Sequence, residues 1–270
     1  MGDELKISTE PDGELDVPGL PAAIGEGENK ERSQRLGSVL AEAIQHGKDK
    51  VPAVPAPLVC KPQQLESWRV FKIMAEFVDG FDLLKKYGLS ATFFGSVRTQ
   101  PEDPYYKAAV ALAGKLAKSG YAIISGGSAG IMEAANRGAH EAGGASVGLN
   151  IRLSDNQTFN KYLTDSMVFD HFFVRKVMLA FASEVYVYFP GGFGTLDELT
   201  EILTLVQTKK IKPVPIVLYG KEFWTPIVDL FKNELFAKYH NIDKADLNLF
   251  VLLDSVDEAY DYIIKNVTSC

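Results

Sequence analysis

The chain has 270 residues, of which 46% are hydrophobic and 23% are charged, enough apolar material for a large packed domain. Its net charge of −7 argues against a protein that coats nucleic acid, because a phosphate backbone requires a basic surface. Two cysteines and four scattered histidines offer neither a disulfide framework nor metal-ligand spacing, so we expect no bound metal.

The first 62 residues differ in composition from the remainder of the chain. They are rich in Gly, Pro and Glu, and the Pro-punctuated segment 51–62 is incompatible with a regular helix. We interpret residues 1–62 as a flexible extension, with one short helix near residues 33–47, and residues 63–270 as one folded domain. The sequence shows no secretory signal and no apolar run of about 20 residues, so we expect a cytoplasmic protein with no membrane partner.

From residue 63 onward, apolar strands alternate with amphipathic helices. Helical spacing of apolar residues predicts helices over 65–88, 104–120, 129–144, 172–183, 195–210, 223–239 and 256–267. Short apolar runs predict strands at 89–95, 121–127, 145–151, 184–192, 214–220 and 248–255. Nearly continuous apolar strands are typical of parallel sheets that are covered on both faces. We therefore predict an α/β, Rossmann-like, doubly wound sheet of about six strands. A (β/α)8 barrel is the alternative, but it requires eight strands.

Two predicted strands end in clusters of glycine that also open a helix. The first cluster follows the strand at 121–127 and contains Gly126, Gly127 and Gly130. Glycine lets the backbone approach a ligand closely, and the helix N-terminus that follows is a favourable anion site. A tight turn that merely needs a positive φ explains the cluster equally well, so both interpretations stay open.

The second cluster, residues 190–198, reads PGGFGTLDE. Gly191, Gly192 and Gly194 expose backbone N–H groups in a pattern that suits a phosphate. Thr195 adds a hydroxyl and is a candidate helix cap. Asp197 and Glu198 follow in the expected first turn of the helix, where carboxylates often do no more than complement the helix dipole. A carboxylate beside a phosphate site is unfavourable, so we also consider a functional role.

A pair of adjacent cations, Arg175 and Lys176, interrupts the otherwise apolar helix that precedes this second cluster. Two explanations are available: both side chains extend to the surface, or Arg175 reaches over the strand ends into the ligand site. Neither glycine cluster reads GxGxxG, and no GxxxxGK[ST] motif occurs. These absences favour a mononucleotide over a dinucleotide or ATP.

Together, these residues resemble the Lonely Guy family of phosphoribohydrolases, which release cytokinin bases from riboside 5′-monophosphates and are often labelled lysine decarboxylases. The resemblance rests on the PGGxGTxxE motif at 190–198 and on the Arg175-Lys176 pair, and it covers about residues 88–225. Glu133 stands where plant members usually carry Gly, so the choice between cytokinin ribosides and AMP-like nucleotides stays open.

The resemblance implies the site residues and their roles. Arg175 and Glu198 would be catalytic. The nucleotide would bind Gly95, Ser96, Gly126, Gly127, Gly130, Met132, Lys176, Gly191, Gly192, Gly194 and Thr195. Residues 63–270 would then form a nucleotide-binding catalytic domain that needs no cofactor and works as a homodimer or a larger homo-oligomer.

Two rival functions follow from the same residues. A non-catalytic nucleotide or molybdenum-cofactor carrier would use the same glycine turns, and the Arg175–Glu198 pair favours the enzyme instead. A decarboxylase dependent on pyridoxal phosphate requires a Schiff-base lysine with a partner for the pyridinium nitrogen, and the sequence offers no such constellation.

Overall fold

The structure, a computed structural model, describes residues 67–153 and 159–267. The predicted N-terminal extension, residues 1–62, and its short helix lie outside the described residues. The described α-helices are α1 (Ser67–Leu84), α2 (Pro104–Lys118), α3 (Ile131–Glu141), α4 (Phe172–Ala180), α5 (Phe193–Gln207), α6 (Lys221–Leu230) and α7 (Val256–Asn266). The strands are β1 (Ser90–Phe94), β2 (Ala122–Ser125), β3 (Ser146–Ile151), β4 (Asp165–Phe169), β5 (Val185–Tyr188), β6 (Ile216–Tyr219) and β7 (Val251–Leu253).

The seven strands form one parallel sheet in the order β4-β3-β2-β1-β5-β6-β7. The chain moves outward from β1 to β4, then returns to the other side of β1 with β5. Strands β1 and β5 therefore flank a topological switch point, where ligands bind in open α/β sheets. This architecture confirms the predicted doubly wound α/β fold and excludes the barrel.

The two faces of the sheet bury separate hydrophobic clusters. One cluster packs α2, α3 and α7 against the sheet, and the other packs α1, α4, α5 and α6. All residues of β1, β2, β3, β5 and β6 are buried, as expected for strands covered on both faces. The helices are thus fixed at one end by strands and glycine turns, which positions their N-termini at the carboxyl edge of the sheet.

The predicted number of strands was one too low because β4 was missed. This strand lies at the edge of the sheet, and most of its residues are only partly buried. Asp165 and Ser166 interrupt its apolar pattern. Asp165 instead accepts hydrogen bonds from Lys86 and Tyr87, at 2.9 and 3.2 Å.

Two further differences concern the helices. The helix predicted over 223–239 divides into α6 and a π-helix, Phe231–Lys238, and a short 3₁₀ helix, Lys244–Asn248, follows. Helix α5 begins at Phe193, two residues before the predicted start. Within the described part of the chain, no helix is long and apolar enough to cross a membrane.

Candidate active site

A cavity of about 1150 Å³ opens at the carboxyl ends of β1 and β5, at the switch point of the sheet. Its lining includes the predicted residues Gly95, Ser96, Gly126, Met132, Arg175, Lys176, Gly191, Gly192, Gly194, Thr195 and Glu198. The predicted residues Gly127 and Gly130 do not line it. Three turns, after β1, β2 and β5, therefore converge on one space large enough for a nucleotide.

The turn after β5 joins the strand directly to α5. Gly192 is the N-cap residue of α5 and, as a glycine, has no side chain that could cap this helix end. The prediction of Thr195 as a cap was therefore wrong, because the helix has already begun when the chain reaches it. Thr195 is buried and packs against Gly191, where an added Cβ would collide with the threonine side chain. The uncapped N–H groups leave this helix end available to an anion.

Glu198 lies in the second turn of α5 and is only 8% exposed. Its position follows from the early start of the helix, so complementing the helix dipole in the first turn no longer explains it. The Tyr188 hydroxyl donates a hydrogen bond of 3.2 Å to the Glu198 carbonyl, which fixes this turn against β5. Burial raises the pKa of the Glu198 carboxyl to about 7, although Arg175 and Lys176 act in the opposite direction.

Arg175 enters the cavity from α4 and lies beside the turn after β2. A Cβ added to Gly126 would lie 3.8 Å from an Arg175 guanidinium nitrogen, and Arg175 also lies over the Phe172 ring at 5.8 Å. Burial lowers the pKa of Arg175, and the charge of Glu198 opposes this shift. The arginine and the glutamate are thus electrostatic partners across the cavity.

Lys176 faces α5 and is already paired with two carboxylates. Its ammonium lies 2.7 Å from Asp197 and 3.4 Å from Glu201. Burial lowers the pKa of Lys176, but the hydrogen bond to Asp197 and the nearby carboxylates outweigh it and raise the pKa. The ion pairs of Lys176 therefore link α4 to α5, and they leave its charge less available to a ligand.

The turn after β2 presents Gly126 and Met132 to the cavity but uses its other glycines for packing. Gly127 has a φ of +70°, and an added Cβ there would collide with the Asn150 side chain. With its amide oriented to donate, Asn150 bonds the Gly126 and Gly127 carbonyls at 3.0 and 3.2 Å. Gly130 also has a φ of +70° and packs against the backbone of the loop that follows β1.

A buried polar network anchors this same turn. Asn136 accepts hydrogen bonds from the Ser125 hydroxyl at 2.6 Å and from the Asn160 amide at 3.0 Å. It donates to the Ser146 hydroxyl at 3.0 Å, and the Ser125 hydroxyl accepts from the Gly127 N–H. These bonds satisfy buried polar groups and fix the turn's conformation before any ligand arrives.

Sequence reasoning missed several residues of the site. The additional lining residues include Arg98, Thr99, Tyr105, Phe172, Phe173, Phe193 and Phe223. The sequence signal for Arg98 is a cation three positions beyond a glycine at the end of a strand. The aromatic residues add apolar surface to the lining, which suits a planar base.

Glu76 on α1 supports the helix that carries Arg175. Its carboxylate accepts hydrogen bonds from the backbone N–H groups of Asp170 and His171, at 3.2 and 3.3 Å, and lies 2.9 Å from His171 Nδ1. A carboxylate at this N-terminus complements the dipole of α4. No local sequence pattern reveals this contact, because Glu76 and His171 lie 95 positions apart.

The arrangement combines a buried acid, a partly buried arginine, free helix N–H groups and aromatic walls. Such a set is chemically suited to a phosphorylated, partly apolar ligand and to the stabilisation of charge near Glu198. Among residues 67–153 and 159–267, no group of three or more His, Cys, Asp or Glu side chains is arranged to hold a metal ion.

Residues 132–263 match the protein family described as "Possible lysine decarboxylase". An uncharacterized protein of Archaeoglobus fulgidus is 30% identical over 129 residues, which span 46% of this chain and 82% of that one. A probable cytokinin riboside 5′-monophosphate phosphoribohydrolase of Oryza sativa is 32% identical over 116 residues, 42% of this chain and 47% of that one. A cytokinin riboside 5′-monophosphate phosphoribohydrolase of Arabidopsis thaliana is 33% identical over 86 residues, 32% of this chain and 38% of that one.

These matches span about half or less of the two plant proteins. Among solved structures, the molybdenum cofactor carrier protein of Chlamydomonas reinhardtii is 22% identical, with a TM-score of 0.49 over 66% of this chain and 96% of that one. The two motifs of the sequence analysis meet in one cavity, and the sequence matches agree with them. The chain belongs to the Lonely Guy family.

Proposed function

We propose that the protein hydrolyses the N-glycosidic bond of a purine nucleoside 5′-monophosphate and releases the free base and ribose 5-phosphate. The observation that carries the proposal is the buried carboxyl of Glu198, which lines the same cavity as Arg175 and interacts electrostatically with it. The substrate class agrees with the names of the plant relatives, a cytokinin riboside 5′-monophosphate or a related AMP-like nucleotide.

The proposed reaction proceeds through a sugar with oxocarbenium character. The bond between C1′ and the base nitrogen breaks and a water oxygen bonds to C1′, so that overall the water supplies the hydroxyl at C1′ and the proton of the released base. Glu198, as a carboxylate, stabilises the positive charge at C1′ and accepts a proton from the water. A pKa of about 7 lets this group change protonation state near neutral pH.

Arg175 has the complementary role in this proposal. Its guanidinium lies beside Gly126 and interacts with the charge of Glu198, so it keeps the carboxylate and the nucleotide in register. The free N–H groups at the start of α5 bind the 5′-phosphate and hold the ribose in place. Binding energy from the phosphate then serves catalysis at C1′, so we expect a nucleotide to react faster than its nucleoside.

The decisive experiment is base release from AMP, isopentenyladenosine monophosphate, GMP and CMP, followed by chromatography. Glu198→Gln is expected to bind nucleotide but to lose hydrolysis by roughly 10²–10⁴-fold, the range for a lost acid–base group. Glu222→Gln is the matched control, since Glu222 also lies near the start of a helix that follows a strand but does not line the cavity.

Near-normal turnover by Glu198→Gln would refute the catalytic role of this residue. If wild-type protein binds the nucleotides without cleaving any of them, the carrier or sensor alternative replaces the enzyme. Arg175 and Glu198 would then be binding residues.

We also propose that the protein works as a homo-oligomer. Helix α1 exposes Trp68, Phe71 and Val78 at 66%, 59% and 60%, and Phe81 packs edge-on against the exposed Phe181 of the loop after α4. Large exposed apolar patches are typical of protein interfaces.

Light scattering coupled to size-exclusion chromatography should give a mass of at least twice 29.6 kDa for the wild type. A smaller mass for Phe71→Asp would support this face, and a monomeric wild type would exclude the proposal.

A further inference from the structure

Among the residues that the structure describes, three cations line the cavity, and they differ in whether a carboxylate already interacts with them. Lys176 is paired with Asp197 and Glu201, and Arg175 interacts with Glu198. The third cation is Arg98, in the loop between β1 and α2. Across the residues that the structure describes, no carboxylate forms an ion pair with Arg98.

The backbone around Arg98 is held on both sides. The Arg98 N–H donates to the Ser96 hydroxyl at 3.1 Å, and the Gln100 side-chain amide donates to the Arg98 carbonyl at 3.0 Å. Gln100 also accepts a bond from the Asp103 N–H at 3.0 Å, and Asp103 caps α2. The loop therefore presents Arg98 from a defined backbone position, although the side chain itself is exposed.

This loop is also bonded to the proposed phosphate site. The Ser96 N–H donates to the Pro190 carbonyl at 2.9 Å, and Pro190 immediately precedes Gly191 and Gly192. On its other side, the Ser96 carbonyl accepts from the Ile131 N–H at 3.0 Å. Arg98 therefore lies two positions after Ser96, whose hydrogen bond to Pro190 joins this loop to the turn before α5.

We propose that Arg98 is the side chain that binds the 5′-phosphate of the substrate, opposite the N–H groups at the start of α5. This inference rests on the proposed function and favours Arg98 over Lys176, which the resemblance placed among the nucleotide-binding residues, as the cation that contacts the phosphate. A phosphate carries up to two negative charges, and helix N–H groups contribute only partial positive charge. Lys176 already forms ion pairs with two carboxylates, whereas no carboxylate of the described residues pairs with Arg98, so its guanidinium can bind two phosphate oxygens at once.

The exposure of Arg98 suits this role. An exposed guanidinium loses little hydration before the ligand arrives, and it gains a strong, charge-assisted contact when the phosphate enters. A buried cation in the same place would require a permanent counter-charge, as Lys176 has. Arg98 thus discriminates between a nucleotide and a nucleoside and takes no part in the bond that breaks.

The test compares AMP with adenosine as substrates of Arg98→Gln, Arg98→Lys and the wild type. For Arg98→Gln we expect the KM for AMP to rise about 10- to 100-fold, the loss of one charge-assisted hydrogen bond or two, with kcat changed less than about threefold. The kcat/KM for adenosine should stay unchanged. Arg98→Lys should recover part of the affinity, because it restores the charge without the two-pronged geometry.

Arg69→Gln is the matched control. Arg69 is an exposed arginine of α1 that does not line the cavity, so this variant loses the same charge without touching the site. Inorganic phosphate serves as a second probe: it should inhibit the wild type and Arg69→Gln at lower concentration than Arg98→Gln. Equal losses for AMP and adenosine, or an unchanged KM for AMP, would overturn the inference.

Equilibrium binding of AMP separates this inference from the proposed function. If wild-type protein binds AMP without cleaving it and Arg98→Gln binds it at least tenfold more weakly, Arg98 holds the phosphate although the hydrolase proposal fails. If wild type cleaves AMP and Arg98→Gln binds it equally well, the hydrolase stands and the role of Arg98 fails.

Discussion

The turns after β2 and β5 look alike in sequence, yet the structure uses their glycines differently. After β5, Gly191, Gly192 and Gly194 all line the cavity. After β2, Gly126 lines it, whereas Gly127 and Gly130 adopt positive φ angles and lie against other parts of the chain. The turn after β5 exposes its glycines to the cavity, whereas two of the three glycines in the turn after β2 are covered by other residues of the chain.

The difference shows that a glycine cluster at a strand end has two independent causes. A glycine is needed where a Cβ would meet another part of the fold, and it is also needed where a ligand must approach the backbone. Sequence position does not distinguish the two cases. They are distinguished by mutation, since the first kind should cost stability and the second kind should cost binding.

The largest effect on stability is expected for Gly130→Ala in the turn after β2. Its φ of +70° is unfavourable for alanine, and the added Cβ would lie 2.6 Å from Val97 C. We expect a loss of about 2–4 kcal/mol in the free energy of unfolding, measured by urea titration. Gly143→Ala is the control, with a φ of +74° but no atom within 4 Å, and it should lose only about 1 kcal/mol. Equal losses in the two variants would show that contact with the loop after β1 contributes nothing.

The next effect concerns Glu198, beyond the turn after β5. Burial raises its pKa from an ordinary value of 4.5 to about 7, so the fold favours the protonated carboxyl. Its stabilising contribution is full below about pH 4.5 and is lost as the pH rises through about 7. Glu198→Gln should therefore be more stable than wild type by roughly 1–3 kcal/mol at pH 8, with the gain vanishing near pH 4.

Thermal melts of both proteins between pH 4 and pH 8 test this prediction. A constant difference across the range would contradict the raised pKa. The same group should appear in the pH dependence of kcat/KM, which reports the free enzyme. If Glu198 acts as a carboxylate, activity should rise through a pKa near 7, whereas a falling limb would assign it the role of an acid.

A smaller effect is expected for Glu76→Gln, which weakens the support of α4 behind the site. The Glu76 and His171 side chains are only 14% and 16% exposed, and the carboxylate accepts two N–H groups at the start of α4. Loss of the charge should reduce stability by about 1 kcal/mol. Glu102→Gln, at an exposed position in the turn before α2, should change it by less than about 0.5 kcal/mol. Equal melting curves for the two variants would show that Glu76 does not hold the helix.

The sequence predicted best those strands whose position depends only on burial, because burial leaves a clear apolar pattern in the sequence. Five strands are buried on both faces, so their apolar runs were sufficient to predict them. Strand β4 combines polar and apolar residues at the sheet edge, so its own sequence pattern does not identify it as a strand. It is extended because it pairs with β3.

The site shows the same division. Arg175, Glu198 and the glycines after β5 were predicted from local motifs, and the structure gathers them at one cavity. The engagement of Lys176 by two carboxylates and the support from Glu76 depend on how helices pack, so no local pattern contained them. The role of Gly130 likewise depends on its contact with Ser96 and Val97 in the loop after β1, which lie more than thirty positions earlier in the chain.

The smallest stability effect, and the sharpest test of the two-turn comparison, is expected for Gly192→Ala. Its φ of −93° and ψ of −157° are extended backbone that alanine adopts, and an added Cβ would meet no atom within 4 Å. Its free energy of unfolding should change by less than about 0.5 kcal/mol. The methyl group would instead occupy space beside the free N–H groups of α5, so we expect the KM for AMP to rise about tenfold or more. Urea titration and initial-rate kinetics on one preparation measure both quantities. Because Gly130→Ala should show the reverse pattern, a Gly192→Ala protein that is destabilised but binds AMP normally would mean that both turns exist for packing and that the phosphate binds elsewhere.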